Sequence, residues 1–243
     1  MTALQLLHDS CSWFQVACLA LFLMVFAGRT VQLRISKHIN PITLNLSKKR
    51  LLGVAELTLL LSVNLWAVAV LVHALPIDSL DLPSPLELQL LDGTAVRAGG
   101  VLVIVAAFAT CVLALAALGS SWRIGIDERQ PGQLVTHGIY ALSRNPIYLF
   151  FDLYFFGTFL INGTLLFLLF LLSTAGNLHY QILQEERFLT KAFGIAYEDY
   201  RTRTPRYFSV RHIASANCLV HTTDRRANSR HAVRAQDSSG RSH

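Results

Sequence analysis

Arg144, Asn145, Pro146 and Tyr148 stand where a polar loop turns into a strongly apolar segment, and a pair of carboxylates, Glu185 and Glu186, interrupts a helical stretch downstream. A guanidinium is a fixed cation with a planar donor fork, suited to gripping a carboxylate or phosphate. Pro146 disfavours helical geometry at Asn145 and is itself suited to the first helical position. Asn is a favoured N-cap, so a helix beginning at Pro146 turns unpaired backbone N–H groups and a partial positive charge towards the loop. Such an end suits an anion.

The downstream stretch runs from Gln181 to Tyr200. At about 100° per residue, Leu178, Ile182, Leu189, Phe193 and Ala196 share one narrow face, while Tyr180, Gln184, Arg187 and Lys191 share the opposite one. Glu185 falls in the middle of the apolar face and Glu186 at its edge. A carboxylate there must be paired or used. An ion-paired structural Glu and a binding Glu are both open on this pattern.

The two stretches together carry a resemblance. Leu134, Val135, Thr136, Gly138, Tyr140, Arg144, Pro146 and Tyr148 keep fixed spacings. After a short hydrophobic hairpin, so do Glu185, Glu186, Leu189, Phe193, Gly194, Tyr197 and Tyr200. This order resembles the integral-membrane isoprenylcysteine carboxyl methyltransferase family, which belongs to a wider group with the phospholipid N-methyltransferases. Two positions depart from it. Members that methylate prenylated cysteine usually read Arg-His-Pro where this chain has Arg144-Asn145-Pro146, and they carry an arginine where this chain has Gln181. The first change is mild, since Asn also caps and hydrogen-bonds. The second removes a cation expected to hold an acceptor carboxylate, so the acceptor does not carry over with the fold.

The resemblance implies methyl transfer from S-adenosylmethionine to a lipophilic acceptor. Carboxyl O-methylation of an isoprenylcysteine-like substrate is the first expectation; N- or S-methylation of a phospholipid or another small molecule is the second. The cofactor's carboxylate is expected at Asn145 and Pro146 with Arg144 nearby, and its ammonium or ribose at Glu185. Tyr140 and Tyr148 are expected against its adenosyl or sulfonium part, where an aromatic face favours a cation. Backbone groups of Gln133, Leu134 and Val135 are expected to line the pocket. For an amine acceptor, Glu186 or Asp152 could serve as the base. A sterol-reductase-like oxidoreductase and a membrane transport subunit are the rivals from other classes, although no paired half-repeats support the latter.

The elements that must position these residues follow from composition. The chain has 243 residues, of which 53% are hydrophobic and only 15% charged. With a mean hydropathy of +0.43, it is too apolar for one ordinary soluble domain and reads as a polytopic, all-α membrane protein. Apolar segments at Cys11 to Ala27, Leu51 to Leu75 and Gly99 to Leu118 each approach the roughly 20 residues needed to cross a bilayer. Two shorter ones, Ile147 to Ile161 and Thr164 to Leu178, are joined by Asn162-Gly163, a turn signal, and are expected to form a tight hairpin followed by an amphipathic helix. The first segment has no Lys or Arg before it and no convincing cleavage site, so it is read as a retained span. The expected organisation is thus about five spans. Residues 1–118 form a scaffold, 119–208 a catalytic core, and 209–243 a basic tail with the composition of a disordered segment.

Charge gives orientation. Arg29, Arg34, Lys37, Lys48, Lys49 and Arg50 lie between the first two segments, whereas Arg97 stands among Asp78, Asp81, Glu87 and Asp92 in the next loop. The positive-inside rule places the first of these loops in the cytoplasm, and alternation then puts the motif loop and the carboxy terminus there too. The acidic loop is expected along the membrane surface through Leu86, Leu88, Leu90 and Leu91. Glu56, Asn64 and Asp152 are intramembrane polar groups, each either interhelical glue or functional. Asp152, four residues after Tyr148, faces the same way as that tyrosine and is the better site candidate. Ser120 to Thr136 is either a flap over the cofactor or an ordinary interfacial loop. Cys11, Cys18, Cys111 and Cys218 give neither a metal-type pair nor a disulfide framework, so no metal is expected. Nothing points to nucleic acid.

Overall fold

The computed structural model describes residues 3–37, 50–74, 83–119 and 133–208. The elements are α1 (Ala3–Lys37), α2 (Arg50–Ala74), α3 (Thr94–Leu118), α4 (Pro146–Asn162), α5 (Leu165–Phe193) and α6 (Ile195–Arg203), with a 3-10 turn at Gly138–Ala141. Apolar runs become helices because hydrocarbon offers the backbone no hydrogen-bond partner, and a helix satisfies its own groups. Ser10–Gln32, Leu57–Ala74, Thr94–Leu118 and Leu165–Phe193 are each long and apolar enough to cross a membrane, and α4 is a shorter apolar helix. This is an all-α, polytopic integral membrane protein, as its sequence leads one to expect. The tail beyond residue 208, the side chain of Glu56 and most of the Ser120 to Thr136 loop lie outside the described residues.

The expected hairpin forms, with one difference. Gly163 closes it in the left-handed region at φ 67°, donating its N–H to the Phe159 carbonyl. The second arm does not stop near Leu178 before a separate amphipathic helix. It continues unbroken from Leu165 to Phe193. Neither Pro nor a left-handed Gly interrupts it, so the helix carries its register from the apolar half into the polar half.

The segment before α3 is more ordered than a surface-lying loop. Leu90 and Leu91 donate their N–H groups to the Gly163 carbonyl at 2.7 and 3.0 Å, and Leu165 and Leu166 donate to Leu88 and Leu86. Gln89 pairs with Thr164 in an isolated β-bridge. Leu88 and Leu90 are exposed, and Leu86 and Leu91 half-buried, so the chain is strapped across the hairpin turn with some leucines outward.

Close approach of α3 and α4 sets where the motif begins. A Cβ on Gly157 would lie 2.5 Å from Ile104 Cγ1 and 2.9 Å from the Gly100 carbonyl oxygen. Small residues at such crossings let helix backbones meet in a membrane. Around this contact Phe22, Trp66, Phe108, Phe150, Tyr154 and Phe155 interlock as an aromatic centre drawn from α1 to α4. Their edge-on and tilted ring contacts add attraction beyond simple area burial.

Polar side chains within the bundle are used in pairs. Trp66 Nε1 donates to Thr158 Oγ1 at 3.1 Å, Asn162 Nδ2 donates to Gln15 Oε1 at 2.7 Å, and Thr58 Oγ1 donates to Asn177 Oδ1 at 3.0 Å. Asn64 is no such tie: its Nδ2 donates to Leu60 O within its own helix.

Candidate functional site

The loop-to-helix junction forms as its residues dictate. Asn145 occupies the N-cap of α4 and Pro146 its first turn. The Asn145 side chain makes no capping bond. Instead its Nδ2 donates to the Arg206 carbonyl at 3.1 Å and approaches Glu186 Oε1 at 3.5 Å. Ser143 Oγ takes over the local bonding, accepting from the Asn145 N–H at 3.2 Å.

Helix α5 answers this junction with its buried ridge. Thr174, Leu178, Ile182 and Glu186 are buried, four residues apart. The buried row therefore runs through Glu186, and Glu185 sits beside it, half-buried. This reverses their expected order, in which Glu185 lay in the middle of the face. The cause is what the helix meets: the face covered by α4 and the carboxy-terminal segment is rotated towards Glu186.

Glu186 is held by two cations. Arg144 Nη1 lies 3.1 Å from Oε1, with both side chains 9% exposed, and Arg206 grips the carboxylate through Nε and Nη2 at 2.8 to 3.1 Å. Such a fork-to-carboxylate grip is among the stronger charge-assisted contacts. The carboxylate raises the Arg206 guanidinium above its ordinary value. Glu185 has a different partner, accepting from the Tyr148 hydroxyl at 2.8 Å. The two adjacent carboxylates thus face two different chemistries, one cationic and one phenolic.

The tyrosines close the floor. Tyr200 donates its hydroxyl to the Tyr140 carbonyl at 2.7 Å, and both residues are buried. Burial, then the neighbouring Glu185 carboxylate, holds the Tyr140 phenol far above its usual range. Burial and Glu186 push the Tyr197 phenol up to about 12, against the opposing Arg144 cation. These phenols stay protonated at neutral pH and present largely apolar walls.

The other predicted residues are placed less tightly. Gln133 is exposed, while Leu134 and Val135 are half-buried on the approach to the 3-10 turn. Asp152 keeps a buried Oδ1 without a hydrogen-bond partner among the described residues. Its charge acts on Tyr207, whose phenol is raised first by burial and then by Asp152. Tyr207 in turn meets His179 Nδ1 at 2.8 Å and stacks on its ring. Asp152 is thus linked through Tyr207, which also feels Arg206 and Glu186, to the edge of the Glu186 cluster.

Arg206 is the site residue that sequence reasoning missed. A signal existed: two adjacent acids near an apolar face had one nominated cation between them, and Pro205-Arg206 directly follows the last amphipathic helix. Charge arithmetic asks for a second basic partner. Nothing in the spacing says that the chain after α6 turns back, as it does when the Arg144 N–H donates to Pro205 O at 3.0 Å.

Comparison with known proteins gives two partial matches. Residues 95–196 match the phospholipid methyltransferase family. The chain is also similar to the protein-S-isoprenylcysteine O-methyltransferase of Schizosaccharomyces pombe, at 41% identity over 76 residues, which cover 30% of this chain and 31% of that protein. The match therefore spans under a third of the relative's length. No solved structure matches the chain. The segment that matches the family runs from the start of α3 into α6, so the chain is similar to membrane methyltransferases over α3, α4 and α5.

Proposed function

We propose that this protein is an S-adenosylmethionine-dependent methyltransferase that acts within the membrane on a lipophilic acceptor. The observation that carries the reading is the pairing of opposite demands across α4 and α5. A buried arginine at a helix start pairs with Glu186, and the next carboxylate on α5, Glu185, is held by a phenol. An amino-acid zwitterion needs such a pair, with a cationic end for its carboxylate and an anionic end for its ammonium.

The residues present fit the cofactor. Arg144 Nε is buried without a hydrogen-bond partner among the described residues, which leaves donor capacity for an anion. Arg144 and the first turn of α4 would hold the carboxylate, Glu185 the ammonium or ribose, and Tyr140 and Tyr148 the adenosyl or sulfonium part. When bound, S-adenosylmethionine supplies an electrophilic methyl group on a sulfonium. The protein's task is to orient that group against the acceptor and to exclude the water that would solvate the nucleophile. Buried Tyr140, Tyr197 and Tyr200 would help to wall the site.

Carboxyl O-methylation is the preferred reaction, favoured by the isoprenylcysteine-directed relative. A carboxylate nucleophile needs no base. N-methylation of a phospholipid amine is the second reading, favoured by the family description, and it requires a group that accepts the amine proton. Glu186 is occupied by two arginines, so Asp152, with its unpartnered oxygen, is the stronger choice for that role. The acceptor enters sideways from the bilayer, and the cofactor site faces the cytoplasm, as the positive-inside rule assigns it.

The test supplies methyl-labelled S-adenosylmethionine to membranes containing the protein, with Glu185→Gln as control, and treats the lipid-soluble product with mild base. Label released as methanol supports the carboxyl ester; label that resists base supports N- or S-methylation. No label above the control sinks the methyltransferase reading.

A further inference from the structure

The Arg144, Glu186 and Arg206 cluster holds two cations against one carboxylate. Arg206 by itself covers both oxygens of Glu186. Arg144 touches one of them at 3.1 Å, is 9% exposed, and keeps a buried Nε without a hydrogen-bond partner among the described residues. A buried guanidinium donor that meets no acceptor is costly, and a second anion would satisfy it. It stands directly before the start of α4, where the helix dipole favours the same sign of ligand.

We propose that Arg206 is a positioning residue that takes over Glu186, so that the fork of Arg144 and the start of α4 form a site for a carboxylate. The inference rests on the methyltransferase reading and deepens it, because the carboxylate is that of the cofactor's amino-acid part. Without Arg206, Arg144 and Glu186 close into a neutral one-to-one pair. With it, this side of the site keeps one positive charge in excess. Glu185, one residue along α5 and bonded to Tyr148, supplies the opposite sign at the other end. Arg206 is suited to the role because its two halves act separately. Its carbonyl accepts from Asn145 Nδ2 and Ser143 Oγ, holding the loop, while its guanidinium alone meets Glu186. Changing the side chain leaves the main-chain ties in place.

The test measures binding of S-adenosylmethionine, and thermal stabilisation by inorganic sulfate, on detergent-solubilised full-length protein. The variants are Arg206→Gln, Arg206→Lys and the double variant Arg206→Gln with Glu186→Gln. Arg206→Gln is expected to weaken cofactor binding about tenfold, the size of one charge-assisted contact, and to remove the sulfate response. Arg206→Lys keeps the charge and stays within about threefold of the parent. The double variant restores one excess positive charge and recovers most of the loss. A purely mechanical clasp predicts instead that Lys fails like Gln and that the double variant is weaker than the single one; either result overturns the proposal. If the parent protein binds no S-adenosylmethionine, the functional reading falls. The sulfate series then decides the inference alone: a response that needs Arg206 supports it, and one that does not overturns it.

Discussion

The two ends of α4 are built by opposite rules. Its apolar length is fixed by shape: Gly157 lets α3 come within van der Waals contact, and Phe150, Tyr154 and Phe155 fill the space between neighbours. Its start is fixed by charge and hydrogen bonds, with Arg144, Asn145 and Tyr148 each tied to a residue at least 37 positions away. Shape-built regions fail when volume changes. Charge-built regions fail when one partner is removed. The contrast suits the proposed task, in which the packed half stays dry and the other half admits a charged cofactor.

The largest expected effect is on the shape-built side. Gly157→Leu places a branched side chain where even a Cβ would lie 2.5 Å from Ile104, and overpacking of this kind costs about 3 kcal/mol or more. Size-exclusion chromatography in detergent should show little monodisperse protein. A normal profile would mean that the α3 and α4 contact is looser than its geometry indicates.

Next comes the charge-built side. Glu186→Ala leaves Arg144 buried beside Arg206 with no counter-charge, for a loss of about 3 kcal/mol, whereas Glu186→Gln keeps the shape and is the milder change. Thermal unfolding in detergent would rank the two. A Glu186→Gln midpoint equal to that of the parent would mean that charge is not what holds this end.

A smaller effect belongs to Tyr148→Phe, which removes one hydroxyl from Glu185 and leaves the ring. We expect cofactor affinity to drop by about tenfold with stability nearly unchanged, since the bond is to a carboxylate at the rim of the site. Binding and melting measured together would separate a site residue from a scaffold residue. A fall in melting temperature without a fall in affinity would assign Tyr148 to the scaffold.

The smallest lies outside both regions. Arg201 pairs with Glu198 at 2.7 Å, but the two side chains are 51% and 39% exposed. Arg201→Ala should change stability by less than about 0.5 kcal/mol. A larger change would mean that α6 is coupled to the site through more than Tyr197 and Tyr200.

Much of this was readable along the chain. Composition and apolar run length determine a helical membrane protein, because only a self-satisfying backbone survives in hydrocarbon. Asn162-Gly163 determines the hairpin, because Gly adopts the left-handed conformation that the turn requires. Asn145-Pro146 determines where α4 starts, and the spacing of the motif residues carries the likeness to membrane methyltransferases. These signals are local: each rests on a residue and its near neighbours.

What the tertiary structure alone decided is which carboxylate faces which partner. Periodicity gave Glu185 the centre of the apolar face, but the neighbours of α5 turned the buried row through Glu186, since a helix face is defined by what covers it. Nor could spacing show that Arg206, 20 positions beyond Glu186, returns to grip it. Such a contact depends on the path of the chain after α6, which is set by the Tyr200 to Tyr140 bond and by the Arg144 to Pro205 backbone tie, both between residues about 60 positions apart.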